Sequence, residues 1–225
     1  MPAVDDVQRI YRHRFPESDR PAKARIWRVL VESFFQRFIG PSDTVLDLGC
    51  GYGEFLNHVR CGRRIGVDLN PDSAAALNEG IEFHLGGIGS LEFLADNSVD
   101  VGFTSNVLEH LPSKTDVERA MREARRVLKT GGRLIAMGPN LRFLPGKYWD
   151  FWDHHVPLTD RSMVELLENL DLAVIRCHPK FLPYTTRSAM PQWPGLVRWY
   201  LRLPPLWHIF GRQFLIVAEK PPRSA

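Results

Sequence analysis

The sequence predicts an α/β protein: a doubly wound, mostly parallel seven-stranded sheet with an N-terminal helical segment and an insertion between the last two strands. Three observations predict it. Short apolar runs alternate with helix-patterned segments, which implies a parallel sheet covered on both faces. The first run, residues 44–48, feeds a glycine-rich turn, and open α/β sheets collect ligands at such carboxyl ends. The last two runs, 172–176 and 214–218, are separated by far more chain than a direct connection needs.

Each element follows from local signals. Over 21–39, Trp27, Leu30, Phe34 and Phe38 recur at helical spacing, Pro21 suits a first turn, and Gly40-Pro41 stops the helix. Residues 44–48 read as a buried strand, 54–60 as a short helix and 64–68 as a second strand. Asn70 caps a helix over 71–79 that begins with Pro71. Strands follow at 81–85 and 99–104. Ser113 caps a helix with an apolar face of Val117, Ala120, Met121, Ala124, Val127 and Leu128. Gly131-Gly132 turns the chain into a fifth strand at 133–137. Thr159 caps a helix to about Leu170, and the strands at 172–176 and 214–218 can pair antiparallel.

The bulk numbers narrow the class. The chain has 225 residues, 44% hydrophobic and 24% charged, as in an ordinary soluble globular protein, and one domain is expected. A net charge of +3 does not argue for nucleic acid. Cys50, Cys61 and Cys177 lie far apart without a CxxC pair, so neither a disulfide framework nor a zinc site is indicated. Asp5 and Asp6 near the start, with no apolar run after them, give no secretory signal, and the expected location is the cytoplasm.

The turn reads Asp47-Leu-Gly49-Cys50-Gly51-Tyr-Gly53-Glu54. Three alternate glycines let a backbone approach a ligand closely. A dinucleotide loop would place its third glycine at 54, where Glu54 would oppose a pyrophosphate at a helix N-terminus. No Gly-Lys-Ser/Thr follows, so the phosphate-binding loop of nucleotide hydrolases is also absent. Asp68, ending the second strand about twenty residues on, can accept from two ribose hydroxyls. Together these describe a nucleoside ligand without phosphates.

These residues resemble the first motif of class I S-adenosylmethionine (SAM)-dependent methyltransferases, a family with a Rossmann-like fold. Val45-Leu-Asp-Leu-Gly-Cys-Gly-Tyr-Gly-Glu-Phe55 carries the likeness, and Asp68 matches the family's ribose-binding acid. The stretch 96–101, then Asn106-Val-Leu-Glu-His-Leu111, is similar to the family's fourth strand and its exit, and 128–134 to its turn into strand five. The resemblance implies SAM as cofactor. It implies that Asp47, Gly49, Cys50, Gly51 and Gly53 lie near the methionine part, Asp68 and Leu69 near the ribose, and Asn106 near the sulfonium. Gly87 stands where an adenine-binding acid is common in the family; Ile88 is then expected to pack on the adenine. The core also resembles the quinone-biosynthesis branch. The expected division is N-terminal helices over 1–40, the SAM-binding core over 41–140, an acceptor-side segment over 141–178, a lid over 179–212 and the last strand over 213–220.

A hydroxyl acceptor would call for a general base. Glu109-His110 follows the fourth strand, and Tyr148-Trp-Asp-Phe-Trp-Asp-His-His155 follows the fifth. Asp153 could orient His155 or His154, with His110 as the next candidate. A metal site from Asp150, Asp153, His154 and His155 is not expected, because the ligands lack the i, i+4 spacing of a zinc pair.

Between Asp171 and Glu219 there is no acidic residue, while Arg176, Lys180, Arg187, Arg198, Arg202 and Arg212 stand among Phe181, Tyr184, Trp193, Trp199, Tyr200, Trp207 and Phe210. The readings are a packed cap, a pocket for an anionic acceptor, or a peripheral membrane contact through 179–212, with Trp193, Leu196, Val197 and Tyr200 as its apolar stripe. The expected function is methyl transfer from SAM to a small-molecule, glycan-linked or lipid-linked acceptor at oxygen. The rivals are C-methylation of a quinone-type ring and a non-catalytic SAM-binding module.

Overall fold

A computed structural model describes residues 8–9, 16–184 and 193–222. The strands are β1 Thr44–Leu48, β2 Arg63–Asp68, β3 Ile81–Leu85, β4 Val99–Ser105, β5 Leu128–Pro139, β6 Ala173–His178 and β7 Gln213–Glu219. They form one sheet in the order β3-β2-β1-β4-β5-β7-β6. The first five are parallel, and β7 lies antiparallel between β5 and β6, as the sequence allowed. Strand order reverses between β1 and β4, which opens a crevice at their carboxyl ends.

The helices are α1 Arg20–Ser33, α2 Lys114–Val127, α3 Asp160–Asn169, α4 Pro194–Arg202 and α5 Pro204–Phe210. Alternate strand residues serve opposite faces. Leu46, Leu48, Ile65 and Val67 pack with Met121 of α2 and Leu167 of α3. Val45, Val101, Phe103 and Ile135 pack on the other face with Leu30 of α1, Tyr200 of α4 and Trp207 of α5. Burying each such large apolar side chain contributes roughly 1.5–3 kcal/mol. The caps act as read from the sequence. Ser113 Oγ accepts the Asp116 N–H, and Thr159 and Ser162 form a reciprocal capping box.

Three elements are shorter than expected. The first helix stops at Ser33, and a 3-10 turn, Phe35–Phe38, replaces its last part. The break at Phe34 lets neighbouring rings be buried in different directions: Phe34 against Phe181, at 4.6 Å between centroids, and Phe35 against Phe103, at 5.2 Å. Residues 54–60 form successive turns rather than a helix, with mixed bonds such as Val59 N–H to Phe55 O and His58 N–H to Phe55 O. The helix after Asn70 is a 3-10 turn, Pro71–Ala76. Gly131, at φ +76°, makes its turn inside β5.

The described part of the insertion is docked. The Tyr200 hydroxyl donates to Phe181 O at 2.6 Å, and Trp207 Nε1 donates to Tyr200 O at 2.8 Å. This corrects the expected stripe, because Tyr200 faces the core and Val197 is half-buried. The exposed apolar residues are instead Trp193, Leu196, Trp199 and Leu203, followed by Ile209 and Phe210. Arg187, Asp5 and Asp6 lie outside the described residues. Among the described residues no helix is long and apolar enough to cross a membrane.

Candidate active site

β1 delivers the chain into a turn where Gly49, Gly51 and Gly53 all have positive φ, at +78°, +53° and +77°. Side chains could not replace two of them: a Cβ on Gly49 would lie 2.4 Å from Val107 Cγ2, and one on Gly53 would lie 2.6 Å from Leu77 Cδ2. A Cβ on Gly51 would meet only Glu54 Oε2, at 3.2 Å. The backbone there is bare toward the crevice, a cradle that suits a ligand. Cys50 packs beneath the turn against Gly66, and burial pushes its thiol pKa up, helped by nearby carboxylates.

Asp68 is buried at the end of β2 and ties the turn to the sheet. Its Oδ2 accepts from the Gly51 N–H at 2.8 Å, and its Oδ1 accepts from the Asn70 N–H at 2.8 Å. An ionised carboxylate has about four acceptor positions, enough to serve the turn and a ligand hydroxyl together. Leu69 beside it is half-buried. Asp47 is buried below, and burial raises its pKa well above the carboxylate range, with Glu54 and Asp68 adding to the shift. Glu54 pairs with Lys23 of α1 at 2.6 Å. With Glu54 paired to Lys23, the Asp68 carboxylate beside the bare glycines disfavours a phosphate there.

Across the crevice, Asn106 holds φ +54° at the end of β4. Its N–H donates to Met137 O at 3.0 Å, and its Nδ2 donates to Ser105 Oγ at 3.0 Å. Ile88 is buried in the core on the face covered by α2.

The histidines are arranged differently from expectation. Asp153 pairs with His110, 43 residues earlier, and not with His155. His110 Nδ1 donates to Asp153 O at 3.0 Å, and Asp153 Oδ2 lies 3.1 Å from the same nitrogen. Both partners are acceptors, so Nδ1 carries the proton and Nε2 carries the lone pair in the neutral ring. Burial works against charge on His110, but the Asp153 hydrogen bond and the Glu109 and Asp153 charges outweigh it, so its pKa is raised. His154 is buried, its ring 4.8 Å from His110, 5.0 Å from Phe151 and 4.9 Å from Tyr148. His155 points outward and contributes its backbone N–H to Glu109 O at 2.9 Å.

Potential ligand atoms of Glu109, His110 and His154 lie within 4.8 Å of one another. Lys23, and the anchoring role of Tyr148, are marked by no local sequence signal. The Tyr148 hydroxyl donates to Val156 O and accepts from the Leu158 N–H, pinning the loop that carries the histidines.

The crevice at the strand-order switch, with its bare glycine turn tied to Asp68, is a candidate ligand site of the kind α/β sheets build at their carboxyl ends, and the His110–Asp153 pair lies at the turn after β4. The model of the methyltransferase domain family matches residues 46–136. An uncharacterized protein in a Streptomyces fradiae transposon is 36% identical over 49% of this chain and 34% of its own length. A demethylmenaquinone methyltransferase of Symbiobacterium thermophilum is 29% identical over 58% of this chain and 57% of its own. The chain thus spans well under two thirds of these relatives. The crystal structure of a SAM-dependent methyltransferase from Archaeoglobus fulgidus has the same fold, with a TM-score of 0.64 at 19% identity over 94% of this chain and 98% of that one. Residues 46–136, which hold the glycine turn, Asp68 and His110, thus match a methyltransferase domain, and the sheet has the fold of SAM-dependent methyltransferases.

Proposed function

We propose that the protein moves a methyl group from SAM to an acceptor oxygen, with His110 as the general base. The observation that carries this reading is the His110–Asp153 pair beside the crevice. SAM, when bound, supplies an electrophilic methyl group on a sulfonium. Asp68 accepts from the ribose hydroxyls, and Gly49, Gly51 and Gly53 admit the methionine part. Asp47 balances the ligand's positive charge, Cys50 supports the turn, Leu69 and Ile88 border the adenine side, and Asn106 faces the sulfonium.

Val107 abuts Gly49, so the turn Leu108–His110 that follows it starts next to this donor region and ends on the base. Its Nε2 takes the acceptor proton while Asp153 holds the ring and the charge that forms on it. A positioned base of this kind contributes about 10²–10⁴-fold. His110→Ala should lower kcat by that order with SAM affinity kept. His154→Ala and His155→Ala are the comparisons, and equal losses in all three would refute the assignment.

The acceptor is a small molecule, free or glycan- or lipid-linked, and nucleic acid is disfavoured by the low net charge. C-methylation of a quinone-type ring remains the rival chemistry, favoured by the demethylmenaquinone methyltransferase relative. A non-catalytic SAM-binding module would bind SAM and release no S-adenosylhomocysteine with any acceptor.

We also propose that 193–212 rests on an anionic membrane surface, with the enzyme otherwise in the cytoplasm. Trp193, Leu196, Trp199 and Leu203 share the outer side of α4, and Arg198 and Arg202 flank them.

A further inference from the structure

A cavity of about 790 Å³ opens between the 143–151 loop and the insertion. Its walls are largely apolar, with Phe143, Leu144, Phe151, Tyr184 and Phe210 among them. Its charged lining residues are Lys147, Arg212 and Asp150. A further cation, Lys180, lies with Nζ 4.6 Å from the centre of the Phe143 ring. Phe151 is also the ring stacked on His154, and His154 touches His110. The cavity is therefore two ring contacts from the general base. At its other side Phe210 is 42% exposed and adjoins the outward Ile209.

We infer that this cavity receives the body of the acceptor, and that the acceptor is an anionic amphiphile: an apolar chain or ring system bearing a group such as phosphate. The inference rests on the methyltransferase reading above and names its substrate class. The volume suits a ligand of roughly 300–1,000 Å³, the usual range for a small-molecule site. The apolar walls take the hydrocarbon part out of water. Lys147 and Arg212, with Lys180 near the Phe143 wall, exceed the single Asp150 carboxylate, so the lining favours an anion and disfavours a neutral lipid. Phe210 belongs both to the cavity and to the exposed apolar side of the insertion, so the cavity opens toward the face proposed to meet a lipid surface.

The test is calorimetric titration of the full chain, without SAM, against three probes below their aggregation limits: tetradecyl phosphate, tetradecanol and inorganic phosphate. Tetradecyl phosphate should bind at least tenfold more tightly than either of the others. Lys147→Gln, an exposed position that folding does not need, should weaken the alkyl phosphate severalfold and leave the alcohol unchanged. Arg212→Gln should do the same, and Phe210→Asp should weaken both alkyl probes. Equal binding of alkyl phosphate and alcohol would overturn the anionic part of the inference. Inorganic phosphate matching the alkyl phosphate would overturn the amphiphile. SAM affinity is measured in parallel on the same samples. Intact SAM binding with no alkyl-phosphate binding refutes the cavity assignment alone, whereas absent SAM binding refutes the methyltransferase reading.

Discussion

The carboxylate of Asp153 lies 3.1 Å from Nδ1 of His110, joining the loop after β5 to the turn after β4. This contact fixes the tautomer of the ring and holds its pKa above the ordinary histidine value, against burial. A base with a raised pKa is protonated, and idle, at lower pH. The acidic limb of kcat/KM should therefore lie above the ordinary histidine pKa. Asp153→Asn removes the charge that favours the imidazolium, so the limb should move to lower pH while kcat on the plateau falls. An unshifted limb would mean that the titrating group is not His110.

Asp68 pins Gly51 and, on the proposed function, accepts from the ribose hydroxyls. Asp68→Ala should weaken SAM by roughly ten- to a hundredfold, the equivalent of about 1.5–3 kcal/mol for hydrogen bonds to a charged group. Asp68→Asn keeps one acceptor and should fall between. Calorimetry with SAM and with NAD checks both; NAD binding without SAM binding would end the assignment of the turn.

Asp47 offers a pH test of the same site. Burial, then Glu54 and Asp68, raise its pKa in the ligand-free protein, so it is readily protonated. A cationic ligand favours the ionised form, and SAM binding should release a proton. Affinity should fall as pH drops through that raised value, by at most about tenfold per pH unit. Titrations in buffers of different ionisation enthalpy read the proton directly, and identical heats in all buffers would exclude it.

The exposed side of α4 predicts reversible adsorption to vesicles containing an anionic lipid, weakened by salt, with each basic residue contributing about 1 kcal/mol near the surface. Sedimentation with anionic and neutral vesicles measures it. Trp199→Ser with Leu203→Ser should reduce adsorption and leave the melting temperature unchanged, since both side chains are exposed.

Tyr200 anchors the insertion from its buried side. Tyr200→Phe leaves Phe181 O without its hydroxyl donor and should destabilise the fold by roughly 1–3 kcal/mol. Thermal unfolding is the readout. No change would mean that the insertion contributes little to the stability of the fold.

The strands and caps were legible because their signals are local. Thr44–Leu48 alternates its faces, and Ser113 and Thr159 need only the next three residues to act. The glycine turn was legible for the same reason, since three positive-φ positions write three glycines. The base pair was not. Asp153 precedes two histidines in sequence, yet chain direction aims it at a third, and only the packing of the loop after β5 under Tyr148 decides that. The outer side of α4 was misread for a similar reason. Helical spacing places Tyr200 near Leu196, but its hydroxyl finds Phe181 O and draws the ring inward.

The reversed β7 has a further meaning. Because β6 runs with the parallel strands and β7 against them, the excursion joining the two leaves and re-enters the sheet at the same rim that holds the glycine turn. Its length and composition can change without moving any strand out of register. On the proposed function, donor and acceptor recognition are thereby written in separable stretches of the chain. Exchanging 179–212 for another segment with the same anchors should redirect the chemistry to a different molecule while the methyl source stays the same.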